Sequence, residues 1–394
     1  MEQIPLFKVY MSKKAAGEVQ KVLDSGYIGQ GPKVDEFEKQ LSERFNNDLT
    51  LTVNSATSAE HLALHMLKQP VLNTQTLFGA AQTARHWPGI QPGDEILATP
   101  MTCTATNWPI LANGFNIKWV DVDPETANMD LDDLARKITP KTKAIMIVHW
   151  GGIPVDLNKL RKVQEDAEKI YGFKPAVIED SAHAFGSYFD KKPIGSHGNI
   201  NTFSFQAIKH LTAVDGGALV LPHQELYSRA KLLRWYGIDR NTNKKDFRCE
   251  LDIPEWGFKF HMNDVNATIG MANLKEVQTE VIDKHKANAK YFNDELANNA
   301  DIVPLKVLPN ADPAYWIYSL LVERKDDFMR YMKEKNIMVS QVHERNDIHS
   351  CVRQYKSLLP NLNTLTSKLI AIPAGWWVTE EQREYILDAI EAGW

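Results

Sequence analysis

Cysteine is scarce in this chain: Cys103, Cys249 and Cys351 are the only three in 394 residues. They are odd in number, far apart and without metal-ligand spacing, so neither a disulfide framework nor a metal site is expected, and we read them as reduced thiols. An apolar run long enough to cross a bilayer is also missing. The opening MEQIPLFKVY has neither the basic start nor the apolar core of a signal peptide, which predicts a cytoplasmic chain with no membrane partner. Nor does one sign of charge prevail. Lys and Arg number 45 against 50 Asp and Glu, a net charge of -5, so there is no global attraction to phosphate backbones and nucleic acid is not an expected partner. Internal repeats and low-complexity tracts are absent as well. What the chain has in quantity is apolar side chains, 43% of the total, enough for a large domain with a smaller one attached.

Their spacing sets the architecture. In VDEFEKQLSERF, Val34, Phe37, Leu41 and Phe45 recur at helical intervals. Beyond them, short apolar runs alternate with helical patterns: EILATP, IKWVDVDP, AIMIVHW, AVIED, TFSF and GALVLP read as strands, with LDDLARKI and DLNKLRKVQEDAEKIYG among the helices between them. This alternation predicts an α/β fold, a mostly parallel buried sheet with helices on both faces, in which ligands gather at the carboxyl ends of the strands. Past Gly257 the pattern changes to a long or bent helix followed by strand-like YWIYSLLVE, helix-like DDFMRYMKEK, strand-like IMVSQV and a last helix opening at TEEQ, where Thr379 and Gln382 have capping-box spacing. We therefore expect a large domain over residues 1–261 and a smaller α+β domain over 262–394. The segment from Gln69 to Gln91 reads as an excursion from the sheet, a surface insertion or an oligomer contact.

Three features could carry chemistry. Asp180 ends the apolar strand AVIED, where its carboxylate needs a cation or donor; the alternative is that it caps the next helix. Lys209 follows the strand TFSF in a turn before DGG; either it is solvated like most lysines, or it is desolvated and able to form a Schiff base with an aldehyde. His210 is its rival for the site. In LTVNSATSAEHLALHML a strand passes into a helix through small and hydroxyl residues, which suits a phosphate at the helix start, or plain capping by Ser55 or Thr57. Phosphate cradle, carboxylate and lysine are together the three contacts that pyridoxal phosphate requires. His149 at a strand end could face a sugar or make a structural hydrogen bond. The tryptophans Trp87, Trp108, Trp150, Trp376 and Trp377 read mostly as core or interface, and RNTNKKDFR as a solvated basic loop or a contact for a diphosphate.

These stretches, above all the run from Val177 to Gly217 with GFKFHMNDVNATIG and AIPAGWWVTEEQ, resemble the DegT/StrS family of nucleotide-sugar aminotransferases along nearly the whole chain. The resemblance implies the fold-type I aminotransferase architecture, pyridoxal 5'-phosphate as cofactor and no metal. It implies that Lys209 binds the cofactor aldehyde and shuttles the proton, that Asp180 pairs with the pyridine nitrogen, and that Thr57, Ser58 and Ser204 hold the phosphate. His183 would lie beside the ring and its phenolic oxygen. Lys259 would reach the phosphate of a neighbouring subunit, making a homodimer with shared active sites. The implied reaction moves an amino group from L-glutamate to a 4-keto nucleotide-linked deoxysugar, for amino-sugar and surface polysaccharide synthesis. A carbon-3 keto sugar, or dehydration by a histidine-bearing relative, are the alternatives, but the ungapped match from FSF through DGG gives Lys209, not His210, the cofactor position. Cys103 occupies the place where the family has an aromatic that stacks on the cofactor.

Overall fold

The computed structural model describes residues 2–68, 89–240, 245–246, 249–250, 252–299 and 301–394. Most of the expected excursion, Trp87 with it, and much of the basic loop lie outside the described residues.

After helices α1 (Ala15–Ser25) and α2 (Pro32–Phe45) come β1 (Thr50–Val53), α3 (Ala56–Met66), β2 (Glu95–Ala98), α4 (Thr104–Ala112), β3 (Asn116–Trp119), β4 (Thr142–Val148) and β5 (Ala176–Asp180). Two-residue strands β6 (Tyr188–Phe189) and β7 (Lys192–Pro193) then precede β8 (Ile200–Ser204) and β9 (Gly217–Val220). All but β6 and β7 join one sheet in the order β1-β9-β8-β5-β4-β2-β3. The pairings from β8 to β3 are parallel, while β9 runs antiparallel to both β8 and β1.

The strands are apolar on both faces because both are covered. Ile96, Ala144, Met146 and Ile178 pack into one core with Leu62 and Ala63 of α3 and Ile110 of α4. Their neighbours in sequence, Leu97, Ile145, Ile147 and Val177, point the other way and join Val34, Phe37, Leu41 and Phe45 of α2. That alternation is the two-residue period of a strand, filled on both sides as a parallel sheet demands.

The helix Asp264–Leu274 contributes Ala267 and Met271 to the α2 side of this sheet. A π-turn at Gln278–Ile282 leads into the helix Asp283–Glu295, so the segment holds two helices, one of the two alternatives left open by the sequence. A third core collects Phe292 with β10 (Ile302–Pro304), β12 (Tyr318–Val322) and β13 (Leu369–Ile372), which form an antiparallel sheet in the order β10-β12-β13. β11 (Ala311–Asp312) instead pairs with β6. Ile4 is buried in the third core too, bridged to Ile337.

The strand expected at IMVSQV does not form; Ile337 and Ser340 make isolated bridges only, because Asn336 and Val342 hold positive φ of 59° and 70° that interrupt an extended run. The last helix, Glu380–Glu391, opens with the expected capping box at Thr379 and Gln382. Among the described residues, no helix is long and apolar enough to cross a membrane.

Candidate active site

Strand register brings the predicted residues to one edge. Asp180 is opposite Thr202 on parallel β8, two residues before Ser204. Ser204 faces Gly217 at the start of β9, and Gly217 faces Val53 at the end of β1. The carboxyl ends of β5, β8 and β1 therefore lie side by side, and the start of α3 with them. Gly217 makes that approach possible. A Cβ there would lie 2.6 Å from Ala56 N and 2.7 Å from Phe203 O, so only a bare α-carbon lets β9 pass between β8 and the foot of the helix.

At that foot Ser55 caps α3, its Oγ accepting from Ser58 N at 3.1 Å and lying 2.9 Å from Ser58 Oγ. Thr57 is exposed and Ser58 half-buried. The capping reading and an open first turn are thus both present: one donor is capped, and the N-terminal dipole of the helix faces the strand edge. Ser204, nearly buried, accepts from Gln206 N at 3.3 Å through its hydroxyl.

Asp180 is buried and does not cap a long helix; its Oδ1 accepts from Ala182 N at 3.0 Å and its Oδ2 from Thr106 Oγ1 at 2.6 Å. Thr106 is 2.8 Å from Thr102 Oγ1, so the two hydroxyls line up behind the carboxylate. Lys209 stands over the ring of Trp316, its Nζ 3.4 Å from the centroid. Burial lowers its amine to about 8, against the upward pull of Asp180, Cys103 and Glu60. A lysine so poised is a far better nucleophile at neutral pH than a solvated one.

His183, buried, stacks on Trp316 at 4.1 Å and lies parallel to His343 at 5.5 Å; its Nδ1 accepts from Gly151 N at 3.4 Å. Burial and then the Lys209 charge hold it well below its ordinary value, so it is a neutral imidazole. His210, the rival of Lys209, turns elsewhere: its Nδ1 is 3.2 Å from the carbonyl oxygen of Phe185 and its ring meets His285 edge-on at 4.5 Å.

His149 is structural. It is fully buried, with Nε2 at 2.9 Å from Glu179 Oε2 while Nδ1 accepts from Val155 N. Lys259 is exposed, its backbone next to Asn54 at the entrance to α3 through Asn54 N to Phe260 O at 2.6 Å and Asn54 Nδ2 to Lys259 O at 3.3 Å. Cys103 is half-buried at the start of α4 and electrostatically coupled to Lys209.

Sequence reasoning missed Glu60, Thr106, Trp316 and His343. For Glu60 a signal existed, since a carboxylate among the apolar residues Ala59, Leu62 and Ala63 has no reason to be there as a solvated side chain.

A profile of the DegT/DnrJ/EryC1/StrS aminotransferase family matches residues 9–391. The crystal structure of AtS13 from Actinomadura melliaura is 45% identical, with all of both chains covered and a TM-score of 0.91. The sugar aminotransferase CalS13 from Micromonospora echinospora is 42% identical over 99% of this chain and 100% of its own, also with a TM-score of 0.91. The PLP form of the putative sugar aminotransferase Spr1654 from Streptococcus pneumoniae shares the fold at 24% identity and a TM-score of 0.86, over 99% and 98% of the two chains. The chain has the fold-type I architecture, and it belongs to the DegT/DnrJ/EryC1/StrS aminotransferase family.

Proposed function

We propose that this protein uses pyridoxal 5'-phosphate to move an amino group from L-glutamate to the 4-keto group of a nucleotide-linked deoxysugar. The observation that carries this reading is the meeting, at one sheet edge, of a desolvated amine, a donor-supported carboxylate and a helix N-terminus. The residues present fit the cofactor. Asp180 offers a buried anion to a ring nitrogen, Lys209 a partly neutral amine to an aldehyde, and the start of α3 with Thr57, Ser58 and Ser204 hydroxyl and N–H groups to a phosphate. When bound, the cofactor supplies an aldehyde and an electron-withdrawing ring. The chain supplies the rest: Asp180 keeps a proton on the ring nitrogen, Lys209 Nζ takes the donor's α-proton and returns it one position away, and neutral His183 borders the ring.

We further propose a homodimer in which Lys259 reaches the neighbour's phosphate site. Exposed apolar side chains support it: Tyr27 is 81% exposed and Val214 51%, and the segments that carry them are tied to the start of the helix Asp264–Leu274, where Gly29 O accepts from Asp264 N and Asp215 O from Asn266 Nδ2.

Incubating purified protein with pyridoxal phosphate, glutamate and a panel of keto nucleotide sugars tests the reading. A visible absorbance band, 2-oxoglutarate and an amino sugar are expected, and Lys209→Ala should lose roughly 10²–10⁴-fold in turnover. Absence of a cofactor band would refute the cofactor assignment. Turnover kept in Lys209→Ala but lost in His210→Ala would favour the dehydratase alternative, against which the turn of His210 toward Phe185 and His285 argues.

A further inference from the structure

Two contacts from a single indole converge on Lys209. Trp316 lies just before β12 and is 4% exposed, while Lys209 sits in the turn between β8 and β9. The indole Nε1 donates to the carbonyl oxygen of Ile208, 108 positions away in the chain, at 2.8 Å. Its ring face meets the side chain of the very next residue, with Lys209 Nζ 3.4 Å from the centroid. Within the same turn Lys209 N donates to Gln206 O and Ile208 N to Gln206 Oε1, both at 3.0 Å. The indole is itself held: His183 stacks on it at 4.1 Å and Phe7 at 5.3 Å, with interplanar angles of 29° and 26°. Rotating the ring away from the lysine would break both stacks.

We propose that Trp316 is a positioning residue for Lys209: its N–H pins the turn that carries the lysine, and its ring face holds the amine and favours the ammonium form. An indole face attracts a cation within about 6 Å of its centroid, most strongly where water is excluded. The role toward the cofactor rests on the function proposed above; the hold on the amine does not. Other titratable groups act on Lys209 from several elements. Burial lowers the amine to about 8, while Asp180 at the end of β5, Cys103 before α4 and Glu60 on α3 draw it upward. His183, His210 and His343 are all held below the ordinary imidazole range, chiefly by burial, so they bring no positive charge to it near neutral pH. The ring face works in the same sense as the carboxylates. The sign of a change therefore separates two roles. Losing the π face lowers the amine's midpoint, whereas losing a tryptophan that merely fills space would leave it unchanged or, by admitting water, raise it.

The test has two arms. In apo-protein, acetylation of Lys209 by acetic anhydride is followed by peptide mass spectrometry from about pH 6 to 10 for wild type, Trp316→Phe and Trp316→Leu. Wild type should show a midpoint near 8 and Trp316→Phe, which keeps a ring face, should stay close to it. Trp316→Leu should fall lower by about half a pH unit or more. An unchanged or raised midpoint in Trp316→Leu, or an equal drop in Trp316→Phe, would overturn the proposal. In the second arm, combination with pyridoxal phosphate is followed by stopped-flow absorbance. Trp316→Phe lacks the N–H to Ile208 and should combine roughly 3- to 10-fold more slowly than wild type at an unchanged midpoint. A wild-type rate in Trp316→Phe would overturn the pinning of the turn. Should wild type combine with no cofactor, the function proposed above fails and acetylation still judges the hold on the amine. Should Trp316→Leu fail to fold, Trp316→Met, which also lacks a ring, takes its place.

Discussion

Lys209 shows how one environment sets two opposing effects. Burial disfavours its ammonium form while Asp180, Cys103 and Glu60 favour it, and burial wins, leaving the amine at about 8. The rate at which apo-protein combines with pyridoxal phosphate should therefore rise with pH around a midpoint near 8, as measured by stopped-flow absorbance; a midpoint near that of ordinary lysine would contradict it. His149 works in the opposite sense, as a support. Burial alone would raise the carboxyl of Glu179, but His149 and Asn199 overcome it and hold it below the ordinary range. Because that folded value is depressed, the stability it brings is present above the unfolded value and lost as pH falls through the folded one. His149→Leu should cost about 3–5 kcal/mol in a denaturant titration, since it leaves a buried carboxylate short of its partner. Lys209 and Asp180 were legible in the sequence because each is a charge placed where an apolar strand ends. Thr106, Trp316 and His343 were not: their meaning depends on which strands become neighbours, and that is decided by topology.

Among the elements, the start of α3 depends on what β9 leaves out. Gly217→Ala would put a methyl group against Ala56 N and Phe203 O, both backbone and unable to yield cheaply. The expected cost is about 1–3 kcal/mol in stability, together with weaker cofactor binding by fluorescence titration, because the turn proposed to hold the phosphate is displaced. The C-terminal helix offers a milder case. Thr379→Ala removes the hydroxyl that accepts from Gln382 N at 3.2 Å and should cost about 1 kcal/mol by chemical denaturation. Both the capping box and the helices and strands around the large sheet could be read from residue spacing. The antiparallel turn of β9 could not, since a strand buried on both faces has the same apolar pattern in either direction. Likewise IMVSQV reads as a strand by hydropathy, yet positive φ at Asn336 and Val342 interrupts the extended run at both ends.

The chain as a whole gathers side chains from separate elements: Glu60 stands on α3, Asp180 ends β5 and Lys209 follows β8. The N-terminal segment joins them from outside. Trp376 Nε1 donates to Lys8 O and Trp377 Nε1 to Pro5 O, and Phe7 stacks on Trp316 at 5.3 Å, beside the ring over which Lys209 stands. Such an arrangement cannot be seen in a pattern of nearby residues, because its partners are more than 300 positions apart. At this scale the proposed dimer predicts a sedimentation mass twice that of the 44.7 kDa chain. The central claim, that Lys209 is the amine joined to the cofactor, is tested most directly by reducing the protein–pyridoxal phosphate complex with borohydride and mapping the labelled peptide by mass spectrometry. The account predicts the cofactor's mass on Lys209; label on Lys259 or another lysine instead, or no label at all, would contradict it.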